Sequence, residues 1–572
     1  MSKKNPDLLF SIGFSIISLV GLMDLITAIS FIVHIPLASW HLPLAVILTL
    51  VLNYYYSSNF KLPGNGRFFL KSSCYLLLTL VITIIIAGCF YDLSFDGQGY
   101  HQEAIYQLGH NHWNPFYETL PDTVNQAIWV NHYPKQSEMG GAVIYALTGR
   151  IETGKALNLL LLVASFCLTF AFLKQHTPLK PFKVLLISIL FAFNPVAVHQ
   201  ALTYLVDGQM ASLLLCLLVA CLWLYHDTSR EILILLTCII IACINIKLTA
   251  IAFTGIFIIF LLLLLFLKKQ MKAFWRVFIA AGIGTFIAVI VVGYNPYVIN
   301  TVRYHNVFYP LMGKNSIDIM TKNSPVGFPE KNRFEKMFIT IFSHTDNIDM
   351  QLRDRVPQLK IPFTLSKLDI KSLSYPDNRI GGFGPFFSGI FLLTVLLLVL
   401  LLIYRREILL KSYLAGFIAM LSFSVIILQE AWWARYVPQF WFIPLLVLVL
   451  AESFDKRWII TLKNFTYIIM QINISLSIYM VTQTNVLKTA EINYRLKQFK
   501  ALNQPVIIDF KGFDANRIRL TEHAIPYIKK EITDTSTAIK GIYSRAVVKT
   551  NKPLPALPLP WLIKLETKIK GR

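Results

Sequence analysis

Apolar residues along this chain gather into long runs separated by short polar turns. A helix needs about 20 apolar residues to cross the hydrocarbon core of a bilayer. By that rule the pattern predicts thirteen spans, near 8–33, 39–56, 72–91, 155–173, 183–199, 209–226, 231–246, 248–267, 275–293, 384–403, 410–428, 439–452 and 459–482. The stretch 231–267 is too long for one crossing and carries Asn245 and Lys247 at its centre. A lysine at mid-membrane is costly, so two helices meeting at Asn245–Lys247 are expected. After the short charged lead Met1–Asp7, the run from Leu8 to Ile32 exceeds a signal-peptide core of about 7–15 residues and reads as a retained first span.

Basic residues in short loops set the orientation. With the N-terminus in the cytoplasm, Lys3, Lys4, Lys61, Arg67, Lys71, Lys174, Lys180, Lys183, Arg230, Lys268, Lys269, Lys272, Arg276, Arg405, Arg406, Lys411, Lys456 and Arg457 all face inward. The short outer turns hold only Lys247 and Arg435. The expected division is two N-terminal helices (1–71), a helical module (72–293) with a first outer loop (92–154), a large outer loop (294–383), further helices (384–482) and a soluble C-terminal region (483–572). That last region has 17 basic and 7 acidic residues, but long segments cross largely regardless of charge. Gln504–Phe510 reads as a buried strand and Glu522–Glu531 as a helix, which predicts a small α/β appendage. The alternative is a cytoplasmic tail with one span miscounted.

Composition agrees with an all-α, polytopic, multi-pass chain of the cytoplasmic membrane. Of 572 residues, 55% are hydrophobic and 15% charged, where soluble chains carry about 25% charge. That excludes a soluble enzyme, a disordered scaffold and a secreted disulfide scaffold. The net charge of +22 fits membrane topology and anionic lipid surfaces. Nucleic-acid binding is not expected, since it requires a basic stripe on a soluble face. All seven cysteines lie in apolar segments, without metal-site spacing.

Candidate chemistry gathers at the outer helix ends. The first outer loop begins Tyr91-Asp92-Leu93-Ser94-Phe95-Asp96-Gly97-Gln98-Gly99-Tyr100-His101 and holds seven acidic residues against two basic ones, Lys135 and Arg150. A carboxylate at a helix end beside apolar surface is partly desolvated, which raises its basicity toward general-base use. Asp92 and Asp96 both qualify; both could equally be solvated capping residues. Gln98, Tyr100, His101, His132 and Lys135 supply polar groups suited to hydroxyls. Asp207 and Lys247 lie at the next outer helix ends, Arg303, Tyr304 and Arg379 in the large loop, and Trp433 and Arg435 in a late turn. Each cation alone could be a snorkelling side chain or an ion-pair partner; together they suit a lipid phosphate. Asp24, inside the first span, reads as a structural pair or helix contact. A divalent ion could bind the acidic loop through oxygen ligands, but no dedicated ligand set is readable and no cofactor is required.

These residues resemble the GT-C superfamily of integral-membrane glycosyltransferases, which use polyprenyl-phosphate sugars. The resemblance covers roughly 70–450. It rests on the aspartate loop after a span (Asp92, Asp96), a seven-span module with a long first outer loop, Asn306-Val307-Phe308-Tyr309-Pro310, and Ala434-Arg435-Tyr436 before Pro438. Two spans precede the module where many members begin directly with it, and two aspartates compete for one role. The resemblance implies that an aspartate deprotonates an acceptor hydroxyl, which attacks the anomeric carbon with inversion as polyprenyl phosphate leaves. Asp96 is then the first candidate base and Asp92 the second. His101 and Gln98 would position hydroxyls, and Lys247, Arg303, Arg379 and Arg435 are candidates for phosphate. The implied partners are a polyprenyl-phosphate-sugar donor, an extracytoplasmic glycan, lipid or protein acceptor, and membrane lipids. A transporter or flippase for a lipid-linked saccharide, and an oligosaccharide polymerase or ligase, are the competing readings. The first predicts repeats and broken helices at the bilayer midplane, and no repeat is evident.

Overall fold

The computed structural model describes residues 7–58, 65–314, 316–348, 356–533, 539–540, 546–550 and 554–555. The lead carrying Lys3 and Lys4, and Lys61, lie outside them. The described chain is mainly helical, and eight of its helices are long and apolar enough to cross a membrane. They are Leu8–Ile32, Gly66–Cys89, Ile151–His176, Asp207–Leu224, Leu248–Leu267, Met271–Val292, Phe387–Tyr404 and Arg457–Ala501. Pro181–Ala192, Tyr413–Ile426 and Pro438–Ala451 are apolar but shorter. The expected span 183–199 is broken because Asn194 leaves the helix, caps Val196 N at 3.0 Å and is followed by Pro195 at the start of a new turn.

The predicted break at Asn245–Lys247 is present. Helices Arg230–Ile246 and Leu248–Leu267 meet at Lys247, whose backbone is extended (φ −162°, ψ 144°). Asp207–Leu224 is buried along its whole length and is the central post of the bundle. The first helix, Leu8–Ile32, packs beside Ala156–His176; a Cβ on Gly13 would lie 2.7 Å from Leu168. Asp24 on this helix does not gain the expected pair. It is fully buried, and neither carboxyl oxygen has a hydrogen-bond partner among the described residues.

Two expectations for the C-terminal region are corrected. The last long helix does not stop near 482 but runs unbroken from Arg457 to Ala501, because 483–501 keeps apolar contacts at Ile492, Leu496 and Phe499. Beyond it, β1 (Val506–Asp509) forms as expected, but 522–531 is not a helix. The helix is Asn516–Glu522, ended by Ala524 at φ +53° and by Pro526, and Tyr527–Lys529 becomes β2. Strands β3 (Ile539–Lys540) and β4 (Val547–Lys549) complete a sheet ordered β2-β1-β4-β3. β1 pairs parallel with β2 (Val506 with Tyr527) and antiparallel with β4 (Ile508 with Val548). The inner face packs Val506, Ile508 and Val548 on Leu496 and Phe499 of the long helix and on Tyr91 and Leu93. The appendage therefore shares its core with the segment that carries the aspartates.

Candidate active site

Past Cys89 the chain bends through Tyr91–Phe95 into one wide helical turn, Gly97–His101, and then into helix Gln102–Gly109. The two aspartates of this bend differ completely. Asp92 is fully buried. It accepts from Ser94 N at 2.9 Å, Ser94 Oγ at 2.8 Å and Gln102 Nε2 at 3.2 Å. Burial pushes its carboxyl up from the ordinary value, against the pull of Lys155. It shapes the turn. Asp96 instead lines a cavity of about 930 Å³, with its side chain 25% exposed.

The cavity wall brings together Asp96, Tyr100, His101, Asp207, Lys247, Arg379, Trp433 and Arg435. Arg435 is the hub. It lies 3.3 Å from Asp96, 3.6 Å from Asp207 and 3.3 Å from Asp377. Arg379 Nε donates to Asp377 at 2.7 Å, and the indole N–H of Trp433 reaches the same carboxylate at 3.2 Å. Both guanidiniums lie over the Trp433 ring, at 4.4 and 4.7 Å. Lys247 is ion-paired with Asp207 and sits 3.9 Å above the Tyr436 ring.

Local sequence explains these positions. Asp207 opens its helix, where a carboxylate suits the positive end of the dipole. Lys247 occupies the gap between two helices. The turn Ala434–Tyr436 is strapped to the large loop by Ala434 N to Arg379 O (3.3 Å) and Arg435 N to Asn378 O (3.0 Å).

Six candidates from the sequence do not line the cavity. Besides Asp92, Gln98 is buried against Asn516, which donates to its Oε1 at 3.2 Å. His132 pairs with Asn300 at 2.8 Å, and burial lowers its imidazole to about 4. Lys135 donates to Asn131 O, Tyr133 O and Asn295 Oδ1, and burial lowers it to about 7. Arg303 is exposed and donates to Thr119 at 2.9 Å, while Tyr304 stacks on Tyr309 at 4.1 Å. These side chains hold loops together.

Sequence reasoning missed Asp377, the carboxylate that joins the two arginines; its only signal is the spacing to Arg379. Burial pushes Asp377 up, but Arg379 and Arg435 outweigh that and hold it below the usual carboxylate range. It also missed Glu138, buried in helix Gln136–Thr148 and 2.6 Å from His101 Nδ1. Tyr133, Trp129 and Gln126 line the cavity as well. Burial raises the phenols of Tyr100 and Tyr133, so both stay protonated and able to donate.

The C-terminal unit grips this bend. Arg519, fully buried, donates to Asp92 O at 2.7 Å and to Glu152 at 2.9 Å. Arg517 forks onto Glu103, Phe513 meets Phe95 edge-on at 4.9 Å, and Gly512 reaches the cavity wall. No group of three or more His, Cys, Asp or Glu side chains among the described residues is placed to hold a metal ion. Comparison with protein-family models, curated proteins and solved structures finds no match to this chain.

The arrangement offers a partly exposed carboxylate beside three cations already neutralised by aspartates. Leu248, Leu311, Ile317 and Leu428 supply apolar lining to the same cavity. Such a site can accept a proton from a hydroxyl and hold an anion attached to a hydrocarbon chain.

Proposed function

We propose that the protein is an inverting glycosyltransferase of GT-C type, taking a sugar from a polyprenyl-phosphate carrier on the extracytoplasmic side of the membrane. The observation that carries this reading is the meeting of Asp96 with Arg435, Lys247 and Arg379 in one cavity with apolar lining. The finer topology, thirteen crossings with loops 92–154 and 294–383 facing outward, belongs to the same proposal.

In this reading Asp96 takes the proton from the acceptor hydroxyl. The acceptor oxygen forms its bond to the anomeric carbon from the face opposite the phosphate, and the bond from that carbon to the phosphate oxygen breaks. Both electrons leave with polyprenyl phosphate. The donor phosphodiester carries one negative charge and the departing monoester two. Cations at the phosphate therefore favour the transition state over the bound donor. Arg435 has a second part. It holds Asp96 at 3.3 Å, and a phosphate drawn to the guanidinium weakens that hold and leaves the carboxylate open to the acceptor. General-base help of this kind contributes about 10²–10⁴ in rate.

The test is lipid analysis of the purified full-length protein by native mass spectrometry. A prenyl phosphate or its glycoside should co-purify with the wild-type chain and be lost in Arg435→Ala. Recovery of ordinary phospholipid alone, equal in both proteins, would remove the reading.

A further inference from the structure

Beside the charged cluster the cavity has a different wall. Trp129 and Tyr133 are one turn apart, in and just after helix Ala127–His132, with ring centroids 5.1 Å apart. Tyr100 meets Tyr133 edge-on at 6.1 Å. All three line the cavity and are partly exposed. They form an aromatic shelf close to Asp96, whose charge acts on both phenols.

The polar tips along this shelf are unspent. The indole N–H of Trp129, the hydroxyls of Tyr100 and Tyr133 and the carboxamide of Gln126 have no hydrogen-bond partner among the described residues. Gln126 also has φ +58°, a left-handed conformation unusual for a residue with a side chain. Backbone strain of this kind tends to collect at ligand sites. Here it starts the helix that carries Trp129. The shelf is braced at its edge: Asn125 Nδ2 donates to Gly512 O at 2.5 Å and approaches Gly99 O at 3.5 Å.

We propose that this shelf is the acceptor subsite and that the acceptor is a carbohydrate. One of its rings lies on the Trp129 face with the Tyr133 ring inclined at 48° beside it, and its hydroxyls meet Gln126 and the two phenols. The argument is one of matched surfaces. A sugar ring has an apolar C–H face and a rim of hydroxyls, while the shelf has flat apolar faces and a rim of free donors and acceptors. A peptide bound by strand addition would ask for an exposed strand edge, and none of the described strands lines this cavity. That the bound sugar is the acceptor rests on the transfer reading above; that the shelf binds a sugar does not.

The experiment is saturation-transfer NMR on the full-length protein in detergent. The probes are methyl glucoside, methyl galactoside, methyl mannoside and methyl arabinoside, with a Gly-Ser-Gly peptide and farnesyl phosphate added separately. At least one glycoside should bind. Trp129→Ala should weaken it about tenfold, and Trp129→Phe, which keeps a flat ring, by threefold at most. Gln126→Ala, which alters a partly exposed side chain, should weaken it severalfold and keeps the test readable if Trp129→Ala does not fold. Farnesyl phosphate binding should be unchanged in all three variants. Glycoside binding indifferent to Trp129 and Gln126, or binding of the peptide alone, overturns the proposal. Failure of farnesyl phosphate to bind the wild-type chain overturns the transfer reading instead, since the glycoside result is read independently of it.

Discussion

The bend that carries Asp96 depends on Gly97, and the cost of changing that residue can be worked from the coordinates. A Cβ added at Gly97 would sit 1.8 Å from Asp92 Oδ2 and 2.4 Å from Ser94 Oγ, whereas real contacts lie beyond 3.0 Å. Relief requires a shift of about 1 Å or more in a fully buried carboxylate. Overpacking of this kind costs about 1–3 kcal/mol. Moving Asp92 also weakens its bonds to Ser94 and Gln102, and losing a hydrogen bond to a charged group costs about 1.5–3 kcal/mol. Gly97→Ala should therefore destabilise the bend by about 4 kcal/mol. Gly99→Ala is the control: nothing lies within 4 Å of its Cβ, and alanine in a helical turn gains up to about 1 kcal/mol. Hydrogen exchange at amides 92–103 in the full-length protein measures both. Strong deprotection in Gly97→Ala with none in Gly99→Ala is expected. Similar protection in the two variants would show that Asp92 does not pack against Gly97, and the separation of roles between the two aspartates would go with it.

Asp96→Asn should abolish transfer with the melting temperature within a degree or two of wild type. Asp92→Asn should lower the melting temperature and leave residual turnover, so the reverse pattern would exchange their roles. Asp377→Asn leaves Arg379 and Arg435 short of a counter-charge; breaking a buried pair costs about 3–5 kcal/mol, and the asparagine can still accept, so a loss near the lower end is expected in chemical denaturation. Glu522 is exposed overall but accepts from Ile151 N at 2.6 Å, and desolvation at that contact pushes its carboxyl from 4.5 up to about 7. Its contribution to docking is complete below about pH 4.5 and is lost as pH rises through 7. Glu522→Gln should flatten the dependence of exchange in 506–529 between pH 5 and 8; an unaltered profile would remove Glu522 as its source.

Much of the helical layout can be read from hydropathy, because an apolar run interrupted by Lys247 leaves few alternatives. The error at 183–199 came from counting apolar residues through an Asn-Pro pair. The error at 522–531 came from reading a helix through Pro526, which sits before a strand. Asp207, Lys247, Arg379 and Arg435 were visible because charge at the end of an apolar run is conspicuous. Asp377 was not, since a loop carboxylate two residues from an arginine looks solvated until the turn at 434–436 closes over it. Asp92 and Asp96 look alike in one dimension; only the direction of the bend between them separates a structural carboxylate from an accessible one. Trp129 and Gln126 gave no signal because a lone indole or amide in an outer loop looks like any interfacial residue until the bend sets Tyr100 beside Tyr133 on the same cavity wall.

The Arg457–Ala501 helix has 45 residues, which makes it about 68 Å long against a hydrocarbon thickness of about 30 Å. It is a mast more than twice as long as such a layer is thick, with the sheet fastened at its C-terminal end. Its length is consequently as constrained as any side chain. One residue inserted near Asn485 would turn everything above by about 100° and lift it by about 1.5 Å. Arg517 and Arg519 would be swung away from Glu103 and Glu152, crippling the opposite end of the sequence without a single change there.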